Sequence, residues 1–399
     1  TNYSNEGGWF DADKVRFRKG KPERIGGWSK FTNSSFIGTC RKLYPYKATS
    51  GDSFIILGTH QKLYNLSGDV YYDITPIRAT TTNGITFAAT DGSSTITATD
   101  DAHGAVTGDF VTISGAVSLG GLVTADVLNQ EYQIDSVTGA DTYTITAKDT
   151  TGATVTANSS DSNNGGSGVD GAYQINSGLD VYVRGTGWGI NTWGAGTFGS
   201  AGDLTLINQL RLWSIDNFGD DTIAAPRAGA LYFWDKSDGL TTRAVALSSE
   251  SGASDVPTVC LQVMTSDVDK HVIAFGSNPI GSSTIDPLLV RFSDRESAVD
   301  WTPTATNQAG GVQLSQGSTI VGALRTRQEI LIWTDAGIVS MRFVGEPFVF
   351  SFTEVAEGVS LISPNAATNA NGRVYFMDRD GFHVYSGTSQ RLPCTVLDY

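Results

Sequence analysis

The sequence predicts an all-β protein: a β-propeller-like scaffold of repeated hairpins or blades, interrupted by an inserted small β-sandwich or barrel domain. Three observations carry that reading. A phrase of short apolar strand, polar turn and second apolar strand recurs along the chain. Glycine is abundant at 46 residues while methionine stands at 3, and long runs of helix-forming residues are missing. From Thr80 to about Asn164 the composition shifts: aromatics thin out and Thr, Ala, Asp, Gly and Ser dominate. The expected division is therefore 1–79, first part of the scaffold; 80–168, insert; 169–399, remainder of the scaffold.

Taken in order, Val15-Arg16-Phe17-Arg18 alternates, Lys19-Gly20-Lys21-Pro22 turns and Glu23-Arg24-Ile25 returns. Residues 54–57 and 63–66 flank the turn Gly58-Thr59-His60-Gln61, and 70–74 follow before a break at Pro76. In the insert, short alternating runs lie at 94–99, 109–114, 132–137 and 142–147, closed by a glycine-rich linker at 163–168. The scaffold resumes near Gly171, with Trp188 and Trp193 in a glycine-rich stretch. Looser hairpins follow at 204–215 with 230–234 and at 272–275 with 288–292. Clear ones follow at 330–333 with 338–343, and at 374–377 with 382–385. β-branched and aromatic residues favour a pleated surface, and Ala-Gly and Asp-Gly pairs supply turn geometry. The recurrence is close to the period of a four-stranded propeller blade.

With 399 residues the chain can bury a large core. No run approaches the roughly 20 apolar residues that span a bilayer, and Thr1-Asn2-Tyr3-Ser4 lacks an export signature, so a soluble protein is expected. Cys40, Cys260 and Cys394 are far apart and form no CxxC pair, which reads as three buried thiols. The net charge of −14 is uneven. Residues 1–47 carry ten Lys or Arg against four acids, whereas 81–168 carry ten acids and the single base Lys148. The acidic total argues against nucleic-acid binding as the main activity, since duplex affinity comes largely from basic residues. A conduit along which DNA slides would also avoid a basic lining.

No motif supplies a catalytic, cofactor or metal residue, and no enzyme activity is expected. Gly194-Ala195-Gly196-Thr197-Phe198-Gly199 fits G-x-G-x-x-G but lacks the strand before and helix after that a dinucleotide site requires. Asp378-Arg379-Asp380-Gly381 begins like a calcium loop without its closing Glu, so turn chemistry accounts for it. His60, His103, His271 and His383 show no metal spacing. Ser293-Asp294 with Trp301 departs from the sialidase Asp-box in spacing and in Glu296, where that box has Gly. The N-x-[ST] sequons at Asn2, Asn33, Asn65 and Asn158 read as chance products of a Ser/Thr-rich chain.

The segment Val15-Arg16-Phe17-Arg18-Lys19-Gly20-Lys21-Pro22-Glu23-Arg24-Ile25-Gly26-Gly27-Trp28 resembles the N-terminal signature of tail nozzle or tail hub proteins of short-tailed bacteriophages, also called packaged-DNA stabilisation proteins. The resemblance is strongest over 291–399. It runs through Arg291-Phe292-Ser293-Asp294, Asp300-Trp301-Thr302-Pro303, the stretch from Gly322 to Asp335, Asp378-Arg379-Asp380-Gly381-Phe382 and Leu392-Pro393-Cys394. It implies a non-enzymatic virion protein of the phage tail, assembled in the bacterial host cytoplasm. Six copies would form a ring below the tail adaptor, retain packaged DNA, let it pass during ejection and host cell entry, and dock fibres or a needle. Relatives continue beyond Leu392-Pro393-Cys394, so the stop at Tyr399 implies a strand supplied by a partner or a longer gene product. The alternatives are a carbohydrate-binding or glycan-cleaving β-propeller and an adhesion module contacting a partner through 80–165. Arg16, Arg18, Lys19 and Lys21 are the expected contacts to a neighbouring subunit or the adaptor; the competing reading is an edge strand protected by charge. Trp28, Trp301 and Trp333 are expected in blade packing.

Overall fold

The computed structural model describes residues 13–27, 29–180, 210–267 and 269–393. Val15–Arg18 (β1) and Lys21–Arg24 (β2) pair as an antiparallel ribbon. Its turn is Lys19-Gly20, both at positive φ (50° and 76°), the geometry a two-residue hairpin needs. The expected four-residue turn is thus shorter, and Pro22 lies inside β2 opposite Phe17, on an edge where no ladder needs its N–H.

Cys40–Lys47 (β3), Ser53–Thr59 (β4), Leu63–Ser67 (β5) and Val70–Asp73 (β6) form the first four-stranded antiparallel blade. The insert follows as Ile77–Thr81 (β7), Thr86–Ala89 (β8), Thr95–Thr99 (β9), Phe110–Ser114 (β10), the single-turn helix Ala125–Leu128 (α1), Glu131–Gln133 (β11), Ser136–Gly139 (β12), Thr142–Thr146 (β13), Asp161–Asn164 (β14) and Asp170–Gln174 (β15). Its two sheets, β11-β10-β15-β7 and β12-β13-β9-β8-β14, enclose one apolar core that includes Phe87, Ile96, Val111, Tyr143 and Ile145. The run expected at 132–137 divides between the sheets. Ile134 N–H bonds to the Asp109 carbonyl and Asp135 N–H to the Thr144 carbonyl, so the chain crosses from one sheet to the other. Part of the expected linker is strand β14.

Among the described residues, four further meanders belong to the scaffold. Blade two is Trp213–Phe218 (β16), Asp221–Pro226 (β17), Tyr232–Trp234 (β18) and Val245–Ala246 (β19); blade three is Cys260–Thr265 (β20), Val272–Ser277 (β21), Leu289–Phe292 (β22) and Gly310–Gln313 (β23). Blade four is Ile320–Arg325 (β24), Ile330–Thr334 (β25), Gly337–Gly345 (β26) and Val349–Glu357 (β27). Blade five is Ala367–Ala370 (β28), Arg373–Asp378 (β29), Gly381–Tyr385 (β30) and Ser389–Arg391 (β31). The hairpin expected from 204–215 and 230–234 is different: β16 pairs with β17, whose last five residues are all buried, and β18 is the third strand. Residues 204–209, Trp188, Trp193 and the glycine motif at 194–199 lie outside the described residues.

Strand periodicity explains how blades stack. Successive side chains point to opposite faces, so Ile330 and Ile332 pack toward blade three with Phe275 and Val290, while Leu331 and Trp333 pack toward blade five with Val374 and Phe376. Likewise Val272 and Ala274 face blade two, and Ile273 and Phe275 face blade four. Blade one meets blade two through Phe54, Ile56, Trp213 and Trp234. Both faces of each middle blade are covered, which is why these strands read as continuous apolar runs rather than clean alternations. Among the described residues no helix is long and apolar enough to cross a membrane.

Candidate docking surfaces

The ribbon register collects the basic residues singled out in the sequence. Arg16 lies opposite Glu23 and Arg18 opposite Lys21, so these four side chains share one face, and Lys19 stands at the tip. Arg16 pairs with Glu23 at 3.2 Å, whereas Arg18, Lys19 and Lys21 make no ion pair among the described residues. No described residue from Asp13 to Cys40 is buried. The following segment anchors the ribbon to the rim of blade one: Ile37 N–H donates to Tyr64 Oη at 3.1 Å and the Phe36 ring meets Tyr71 edge-on at 5.3 Å.

The insert presents the opposite charge. Asp91, Asp101, Asp126, Asp135 and Asp141 are exposed, with Lys148 the one base of the segment. Asp101 and Asp141 sit together where two turns meet, because Ala102 N–H donates to the Asp141 carboxylate at 2.9 Å. Asp135 lies at the other end of the four-residue edge strand β12.

A clasp of charges fixes the insert on the scaffold. Lys62 of blade one, 1% exposed, donates to Asp73 at 2.7 Å and to Glu131 of the insert. Arg243 of blade two reaches the same two carboxylates at 2.8 and 3.2 Å, and Gln174 adds a bond to Glu131 at 2.5 Å. Burial pushes the Asp73 carboxyl up, but the attraction of Lys62 and Arg243 outweighs it and the net shift is downward. Sequence reading missed these residues, since they come from three separate segments.

The inner strands β3, β16, β20 and β24 line a central cavity of about 530 Å³. The one carboxylate among its described lining residues is Asp216. Asp216 accepts from Tyr44 Oη at 2.6 Å, Thr265 N–H at 2.9 Å, Arg325 at 2.9 Å and Asn217 N–H at 3.0 Å. Burial and then Asp216 push the Tyr44 phenol pKa up. Glycoside cleavage uses a carboxylate pair about 5 to 9 Å apart; a single carboxylate held by four partners does not supply one.

Asp378, Asp380 and His383 bring potential ligand atoms together, but each already has a protein partner. Asp378 accepts from Ser360 N–H and Arg379 N–H, and His383 Nε2 pairs with Asp380 at 2.9 Å. Cys260 is buried, whereas Cys40 is exposed, correcting the expectation of three buried thiols. Cys40 is the first residue of β3, outside the apolar core that Tyr46 of the same strand joins; Cys394 lies outside the described residues. Trp301 and Trp333 are buried, and Trp28 lies outside the described residues.

The segment from Arg291 to Trp301 acts as a tie within blade three. Buried Arg291 donates to the carbonyls of Asp255 at 2.6 Å and Asn278 at 3.3 Å. Asp294 N–H bonds to the Asp300 carbonyl at 2.7 Å, and Trp301 Nε1 to Ala298 at 2.8 Å.

No protein-family profile matches the chain, and no curated protein matches it. Among solved structures it is similar to a phage phi92 endosialidase at 11% identity and a TM-score of 0.25. The match covers 90% of this chain and 55% of that one, so the chain spans about half the length of that structure.

Proposed function

We propose that this chain is a structural subunit of a short bacteriophage tail, a nozzle or hub whose copies form a ring-shaped conduit for packaged DNA. The observation that carries the reading is the pair of segments resembling that family, at 15–28 and over 291–399. The described parts of both do structural work: the first is an exposed basic ribbon, and the second ties and builds blades three to five. The function proposed is mechanical, with no bond made or broken. A rigid, all-β scaffold with both faces of its middle blades covered suits a part that bears load during DNA ejection.

The cavity inside one chain, about 530 Å³, has the size of a small-molecule pocket. The DNA passage in this reading therefore lies on the axis of a ring, between copies. Native mass spectrometry and negative-stain imaging of the purified protein and of the particle test it. A six-membered ring with an axial hole that admits duplex DNA is the expected result. A chain that remains a monomer even with the adaptor protein supplied overturns the proposal.

A further inference from the structure

We infer that the basic ribbon β1-β2 of one copy docks on the acidic insert of a second copy, against the surface carrying Asp101, Asp135 and Asp141. The inference rests on the ring reading above and names the contact that would build the ring.

A closed ring needs a heterologous interface, in which two different and complementary patches occur on every copy. The described surface offers such a pair. One patch is the ribbon, where Arg16, Arg18 and Lys21 share a face and Lys19 caps the tip; only Arg16 has a carboxylate partner among the described residues. The other is the insert surface, where the single base of residues 81–168 is Lys148.

The two patches also match in length. The four-residue strands of the ribbon and the four-residue β12, which Asp135 adjoins and Asp141 closely follows, each extend about 13 Å.

Two further features favour a contact between copies. An isolated two-stranded ribbon is at best marginally stable in water, and among the described residues this one pairs two strands and buries none of their side chains. Packing against another surface would add to its stability. The clasp of Lys62, Asp73, Glu131 and Arg243 meanwhile holds the insert in a set orientation on the blades, so its acidic face is presented in the same way by every copy. Preorganisation of that kind lowers the cost of association.

The test uses the full chain. Equal amounts of ¹⁵N-labelled and unlabelled protein are mixed, allowed to associate at low ionic strength, and treated with a zero-length carbodiimide that joins Lys to Asp or Glu. Peptides linking Lys19 or Lys21 of one isotope to Asp101, Asp135 or Asp141 of the other are expected. Such links between peptides of one isotope only would place the ribbon on its own insert and overturn the inference.

Charge reversal gives a second readout. Arg16→Glu/Arg18→Glu/Lys21→Glu is expected to weaken association by at least about tenfold. So is Asp101→Lys/Asp135→Lys/Asp141→Lys, and a mixture of the two reversed chains is expected to regain association. If neither set changes the association constant, the inference fails.

The two readings fail distinguishably. A chain monomeric at every concentration removes both. Association with cross-links confined to other surfaces removes only the ribbon contact. Ribbon-to-insert links in an assembly without an axial hole remove only the conduit.

Discussion

Gly58, in β4, shows how one residue sets the distance between blades. A Cβ there would lie 2.5 Å from the Trp213 ring, which itself is held by a 2.7 Å bond from Nε1 to the Thr59 carbonyl. Gly58→Ala must push the indole off that carbonyl or separate the blades. A loss of about 1–3 kcal/mol is expected, read as a lower urea midpoint with an unchanged slope. The thiols give a second test at this scale. Burial pushes the Cys260 pKa up to about 12, leaving almost no thiolate at neutral pH. Peptide-level alkylation is expected to modify exposed Cys40 in the folded protein and Cys260 only after unfolding.

At the scale of elements, the junction between insert and scaffold depends on charge more than on apolar contact. Removing Lys62 leaves Asp73 and Glu131 to share Arg243. Breaking a buried ion pair in this way costs about 3–5 kcal/mol, so Lys62→Met is expected to lower the unfolding midpoint measurably. The pH dependence follows from Asp73, whose folded pKa lies below its unfolded value of about 3.9. Such a group stabilises the fold above the unfolded pKa and loses that contribution as pH falls through the folded one. Amide protection factors in β6, β7 and β11, corrected for the intrinsic exchange rate at each pH, are therefore expected to fall below about pH 4, and unchanged protection there from about pH 6 to about pH 3 would contradict the clasp. The clear hairpins at 54–66, 330–343 and 374–385 were legible because period-two patterning and turn residues agree locally. The pairing of β16 with β17 and the sheet switch at Ile134-Asp135 were not. Each depends on which distant strand lies alongside.

For the whole molecule, the apolar core of the insert contains no residue of the blades, and the blade cores contain none of the insert. Calorimetry is expected to resolve two unfolding transitions that move closer together when the clasp is intact and apart in Lys62→Met; one transition in both proteins would count against this division.

The sequence alone determined the all-β class, the recurrence of hairpins, the acidic insert and the basic ribbon, because strand propensity, turn chemistry and charge are local properties. It also singled out Arg16, Arg18, Lys19 and Lys21, and the register then placed them on one face and its tip. Only the tertiary structure decided that Lys62, Asp73, Glu131 and Arg243 meet, that Asp216 is saturated and that Cys40 is exposed. Those outcomes depend on which segments far apart in the chain come within hydrogen-bonding reach, and no local pattern encodes that distance.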